Sequence, residues 1–196
     1  MTSQKVLDRV CVRRRLREIS GYLGIVHGWA EFGSLPEPQR IAMLDRAGIL
    51  LEELPAAPPA GRLARETDLL RGHVLRLKGN YNAAIGPLRR AAFGLHQNVG
   101  AWLALGWCYR RIGRYAQAVA AAKRACSVQP RNIIAIYNLA CYLCLAGRRD
   151  AALDAVRAAL RREPKLREFL MRDPDFDKLR SDEAFQALLE PVCRGG

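Results

Sequence analysis

Three glycines recur at intervals of 34 residues, at Gly79, Gly113 and Gly147. Ala84, Ala118 and Ala152 follow them at one fixed offset, Ala91, Ala125 and Ala159 at another, and Pro130 and Pro164 close the second and third units. A period of this length marks a supersecondary unit that cannot bury its apolar face alone and must stack on its neighbours. Between the marks, apolar residues fall at helical spacing, as in Leu103, Trp107 and Tyr109, or Leu139, Tyr142 and Leu143. Each glycine stands where a first helix must stop, since glycine enters the left-handed region without a Cβ penalty. Each proline ends a second helix, because it disfavours the helical region in the residue before it. Small residues at Gly106 and Ala140, and at Ala118 and Ala152, let two helices approach closely. The pattern therefore predicts an all-α chain of helix–turn–helix units.

The middle unit is the most complete. Trp102, Leu105, Gly106 and Tyr109 are followed in order by Ala118, Ala125 and Pro130. This resembles the tetratricopeptide repeat (TPR), with Ala122 where that family usually has Phe. The third unit keeps Leu139 and Ala140 but has Ile136 and Leu143 at the two aromatic positions. The first keeps Gly72, Leu75 and Ala91, has Arg71 for the leucine, and has His96 in place of the closing proline. The resemblance covers about residues 65–164. It implies a short right-handed α-solenoid of three units, at about 65–98, 99–132 and 133–166, inside a repeat region of 61–164. It also implies that the first helix of each unit lines a concave groove. The groove residues would be Leu69, His73 and Arg76; Leu103, Trp107, Arg110 and Arg111; and Ile134, Tyr137, Cys141 and Cys144. Such a surface suits a peptide or helix with an apolar anchor and acidic neighbours. The two-lysine, two-asparagine clamp by which some relatives hold a C-terminal carboxylate is not matched, since Leu69 and His73 occupy its first two positions. The competing reading is a groove filled by the protein's own terminal helices.

The flanks lack the 34-residue register. Residues 1–60 read as a helical cap: one helix from about Ser3 into the twenties, with Val6, Val10, Ile19 and Leu23 facing the core, and a second over about Glu37–Leu54, with Leu44, Ile49 and Leu51 on its apolar side. A bend is expected near Gly21 and Gly24. Residues 55–61 form a stiff Pro-rich linker. Residues 165–196 read as a C-terminal cap. Asp173-Pro174-Asp175-Phe176, Leu179, Arg180, Phe185, Leu188 and Leu189 resemble the closing segment of many bacterial TPR proteins, which covers the last repeat.

The net charge is +13, and only five of the 32 basic residues are lysine. Arg89-Arg90 and Lys123-Arg124 recur at the repeat period and Arg157 continues the series, so they should line up on the convex side. Lys5, Arg9, Arg13 and Arg17 form an i,i+4 stripe on the first helix. Either set could track a polyanion, which makes association with nucleic acid the alternative function. No aromatic residues interleave with the basic ones to stack bases, so a solvated face is the simpler account.

Six cysteines lie mostly inside expected helices and behave there as small hydrophobes, which favours a reducing compartment and a cytoplasmic location. No apolar run is long enough to span a bilayer. The stretch Ile19–Ala30 is too short and too glycine-rich for a secretion signal.

The chemistry-bearing patterns are sparse. Asp173, Asp175 and Asp177 open like a calcium loop, but Lys178 and Ala184 stand where that loop needs Gly and Glu, so helix capping explains them better. Cys141 and Cys144 have ligand spacing, yet no second pair or histidine cluster accompanies them. His27, His73 and His96 are scattered. No catalytic, metal or cofactor site is expected. The sequence points to a non-catalytic protein–protein interaction module, an adaptor or chaperone-like scaffold, with self-assembly through an unfilled groove as a further alternative.

Overall fold

A computed structural model describes the backbone of residues 2–32, 35–55 and 60–190, and the side chains of the same residues except 2–7 and 27–32. The inner part of the Pro-rich linker, the side chains of Lys5, Val6 and His27, and Cys193 lie outside the described residues. The described chain is helical: α1 Thr2–Phe32, α2 Glu37–Glu52, α3 Arg62–Leu77, α4 Tyr81–Gly94, α5 Val99–Arg111, α6 Tyr115–Val128, α7 Ile133–Leu145, α8 Arg149–Arg162, α9 Leu166–Arg172, a 3-10 helix Pro174–Leu179, and α10 Glu183–Leu189. None of these helices is long and apolar enough to cross a membrane. The chain divides into two compact units, residues 1–108 and 109–196, so the cut falls within α5.

The three period-marking glycines end α3, α5 and α7 as expected. Gly79, Gly113 and Gly147 have φ of 81°, 74° and 69°. Behind each, two backbone bonds close the turn, as in Gly79 N–H to the Arg76 carbonyl (3.1 Å) and Asn80 N–H to the Leu75 carbonyl (2.9 Å). This six-to-one and five-to-two pair absorbs the carbonyls a helix end leaves open.

In the first unit, α1 and α2 share one core with α3. Val12, Leu16, Ile19, Leu23 and Val26 of α1 meet Leu44, Ala47, Leu50, Leu51 and Leu54, with Val74, Leu70 and Leu77 of α3 packed in. The buried stripe of α1 steps by four and three residues alternately, a two-turn rhythm that keeps one face inward. Val10, expected in the core, is 57% exposed. It stands two residues from Val12, about 200° around the helix, so both cannot face inward. Ile49 is exposed for a similar reason beside buried Leu50 and Leu51. No break interrupts α1 at Gly21 or Gly24. Between α3 and α4, Gly72 lies against Leu88: a Cβ there would meet Leu88 Cγ at 2.5 Å.

In the second unit, α7 is central. It packs against α6 and α8, while the 3-10 helix lies along it. One core joins Ala118, Val119 and Ala122 of α6 to Ala140–Cys144 of α7, Val156 of α8, and Leu170, Phe176, Leu179 and Phe185 of the closing segment.

Candidate functional site

The expected groove residues are met one helix at a time. In α3, Leu69, His73 and Arg76 are half-buried. Burial lowers the pKa of the Arg76 guanidinium, against the opposing pull of Cys108 and Tyr81 nearby. Leu69 lines a cleft of about 630 Å³ with Arg62, Arg65, Glu66, Leu95 and His96. In α5, packing consumes Ala101, Trp102, Leu105 and Cys108, and Phe93 of α4 meets Trp102 edge-on at 5.0 Å. Trp107 is turned outward at 39% exposure, and Leu103 is half-buried beside it.

In the second unit the first-helix face meets the chain's own closing segment. The Arg110 Nε–H donates to Asp175 Oδ2 at 2.6 Å, and its Nη2 to Asp175 Oδ1. That side chain is 21% exposed and its partner 10%. The hydrogen bond to Asp175 is the main reason the Arg110 pKa is raised. The Tyr137 hydroxyl donates to Asp173 Oδ2 at 2.6 Å, and its ring meets Phe176 edge-on at 6.0 Å. Phe176 in turn stacks on Phe185 at 5.6 Å. Cys141 and Cys144 are buried beneath this segment. Arg110, expected above in the groove, thus holds an acid of its own chain. Of the expected residues in this unit, Arg111 and Ile134 remain exposed.

Asp173 carries two roles. Its Oδ1 accepts the Asp175 N–H at 2.9 Å and caps the 3-10 helix, while its Oδ2 meets Tyr137. Cys141 Sγ, Asp173 and Asp175 place ligand-type atoms within 4.8 Å of one another. Both carboxylates there are already engaged, one by a guanidinium whose charge opposes a cation. Burial first, then the neighbouring aspartates, pushes the Cys141 thiol far above its ordinary range, so it keeps its proton. Burial and the hydrogen bond to Asp173 do the same to the Tyr137 phenol. The cluster is a hydrogen-bonded fastening. The Asp-Pro-Asp-Phe motif is visible in the sequence, but its partners are 36 and 65 residues away and nothing local names them.

The basic ladder is partly neutralised. Arg90 donates to Asp68 at 2.7 and 3.1 Å across to α3, and Arg157 pairs with Asp154 at 2.6 Å. Arg89, Lys123 and Arg124 are exposed.

One more surface joins two expected groove residues, Ile134 and Tyr137, to three that the sequence reading did not single out. Ile133, Ile134 and Tyr137 of α7 and Leu166 and Phe169 of α9 line a wholly apolar hollow of about 220 Å³. Phe169 and Ile134 are 65% and 57% exposed. The heptad-like count that finds core faces assigns Phe169 no role.

Consecutive helical pairs closed by left-handed glycines at a 34-residue period define a helical-repeat protein. The family profile described as "Tetratricopeptide repeat" matches residues 99–140, so that stretch of the chain is similar to a tetratricopeptide repeat. No curated protein matches it. Among solved structures, MamA of MSR-1 superposes with a TM-score of 0.64 at 19% identity, covering 92% of this chain and 90% of that one. MamA of AMB-1 gives 0.63 at 19% identity, with 93% of each chain covered. A further MamA crystal structure gives 0.63 at 19% identity over 80% of this chain and 92% of that one. At such identities the likeness is one of fold.

Proposed function

We propose that the protein is a non-catalytic interaction module that holds a peptide or helix of another protein against the first helices of its repeats. The observation that carries this reading is Trp107. Packing within the first unit places Trp102 inside, and the second indole of α5 stays 39% exposed. A large aromatic held at a rigid helix surface beside Leu103 is the type of side chain that dominates binding energy at interfaces. The groove-lining residues Leu69, His73, Arg76, Leu103 and Trp107 are the proposed contact surface of the first unit, and Arg111 is a proposed contact of the second. Arg110, Tyr137, Cys141 and Cys144 contribute through the closing segment they hold. The five described cysteines are free thiols, which supports a reducing, cytoplasmic setting.

The test is to pan a displayed peptide library against immobilised wild-type protein and Trp107→Ala. Enrichment of a shared sequence pattern on the wild type, lost on the variant, supports the reading. Equal enrichment on both sinks it. The polyanion alternative draws support from exposed Arg89, Lys123 and Arg124. It is weakened because Arg90 and Arg157 are occupied by Asp68 and Asp154. It requires an affinity that falls steeply with salt.

A further inference from the structure

A hollow in the first unit is lined by charge. Arg65 of α3 and Arg89, Arg90, Phe93 and Gly94 of α4 enclose about 340 Å³, within the range of small-molecule sites. Read along the chain, no aromatic residue interleaves with the basic ones; the fold brings one among them. Phe93 stands one helical turn beyond Arg89 and Arg90 and is 58% exposed. The buried indole of Trp102 braces its ring edge-on at 5.0 Å. Gly94 makes room for the third cation. A Cβ there would meet Arg65 Cδ at 2.5 Å and Nε at 2.7 Å, so only a bare backbone lets the Arg65 side chain lie across the end of α4. Arg65 and Gly94 also line the cleft of about 630 Å³, so a ligand seated here has room to extend past the guanidinium.

Asp68 organises the cations. Its side chain, 10% exposed, accepts from Arg90 Nε at 3.1 Å, Arg90 Nη2 at 2.7 Å and Arg65 Nη1 at 3.3 Å. One buried acid thus holds two guanidiniums in place, and each keeps donors to spare, since a guanidinium carries five N–H groups. The side chains of Arg90 and Arg65 remain 51% and 40% exposed, and Arg89 is exposed as well. Three guanidiniums against one carboxylate leave two positive charges at one hollow. A phosphate monoester carries about −1.5 to −2 at neutral pH on three acceptor oxygens, which matches; a lone carboxylate would leave one charge over. The exposed ring of Phe93 offers a face to a flat aromatic system, and guanidinium planes stack on such systems too.

We propose that this hollow binds a nucleotide, its phosphate held by Arg65, Arg89 and Arg90 and its base laid on Phe93. A single strand needs a basic and aromatic track over several nucleotides, whereas one ring in one hollow seats one base, so the ligand is a free nucleotide. The site is separate from the proposed peptide-binding residues and adds a small-molecule ligand to the interaction module.

The probe is adenosine 5′-monophosphate, titrated into the protein by calorimetry at physiological salt, with adenosine, inorganic phosphate and a short oligothymidylate in separate arms. The monophosphate should bind one to one, more tightly than adenosine or phosphate. Phe93→Ser should weaken it about fivefold or more, the low end of what one stacked ring contributes. Arg89→Glu should weaken it about tenfold or more. Gly94→Ala should weaken it as well by displacing Arg65, whose flexible side chain yields at little cost to the fold. Thermal melting close to wild type shows that the variants remain folded. Arg124→Glu and Trp107→Ala lie outside the hollow and should leave binding unchanged. Absence of monophosphate binding, or binding that Arg89→Glu and Phe93→Ser leave intact, overturns the inference. So does inorganic phosphate binding as tightly as the monophosphate, since the ring would then have no role. Oligothymidylate that binds more tightly than the monophosphate and is lost with Arg124→Glu overturns it in favour of the polyanion reading. Peptide panning against Trp107→Ala reads a different surface, so either proposal can fail without the other.

Discussion

Exchange at Arg110 and Asp175 measures how firmly the closing segment covers α7. The pair has two hydrogen bonds, one at 2.6 Å, with side chains 21% and 10% exposed. It sits between an exposed pair, worth under about 1 kcal/mol, and a buried one, whose rupture costs about 3–5 kcal/mol. Asp175→Ala leaves the guanidinium in a part-buried site without its bidentate acceptor, so a loss of about 2 kcal/mol is expected. That energy corresponds to about a 30-fold rise in the open population of the segment. Arg110→Met should cost a similar amount by stranding the carboxylate. The double variant should be less damaging than the sum of the two, with a coupling of about 1–2 kcal/mol, because neither charge is then left alone. The assay is native-state hydrogen exchange of the backbone amides in residues 174–189, which reports opening of this segment apart from global unfolding. Protection within threefold of wild type in Asp175→Ala would refute the reasoning. Burial of Phe176, Leu179 and Phe185 would then hold the segment by itself.

Glycine replacements should split in sign. Gly72→Ala brings a Cβ within 2.5 Å of Leu88 Cγ, and the overpacking, about 1–3 kcal/mol, exceeds the helix-propensity gain of about 1 kcal/mol, so the first unit loses stability. Gly21→Ala meets nothing within 4 Å on α1 and should stabilise by about 0.5–1 kcal/mol; urea unfolding followed by circular dichroism compares the two. Burial pushes the Cys108 thiol up from 9.0 to about 11. The folded chain therefore holds this proton more tightly than the unfolded one, so stability is full below about pH 9 and declines as pH rises from 9 to 11. Tyr137 and Cys141 shift in the same direction, and Cys108→Ala should flatten part of the decline in urea midpoints measured across that range. Asn132 Oδ1 accepts the Ala135 N–H at 3.0 Å as the N-cap of α7, so Asn132→Ala should lower the thermal stability of the second unit by about 1 kcal/mol.

Much of the architecture was legible before any coordinates. Helix ends at Gly79, Gly113 and Gly147 follow from one residue type and one backbone region, and the alanine ladders follow from how closely paired helices must approach. These are local rules repeated at a period, and repetition is what a single sequence displays best. The core face of α1 was harder to read. Two valines, Val10 and Val12, are both apolar, and only the position of α2 and α3 decides that Val12 is buried and Val10 is not.

The sequence by itself determined the class of fold, the helix stops and the apolar character of Phe176, Leu179 and Phe185. It also supplied the residues of the first helices. Tertiary structure alone decided which of them remain available. Arg110 and Tyr137 meet Asp175 and Asp173 across 65 and 36 residues, and Arg90 turns to Asp68 across 22. An arginine in a sequence carries the same charge whether it faces solvent or a carboxylate. Its partner is selected by where distant helices come to rest, and that depends on the packing of the whole core rather than on any local propensity. The same reason conceals the hollow at Phe169, which exists only because α9 comes to rest beside the start of α7.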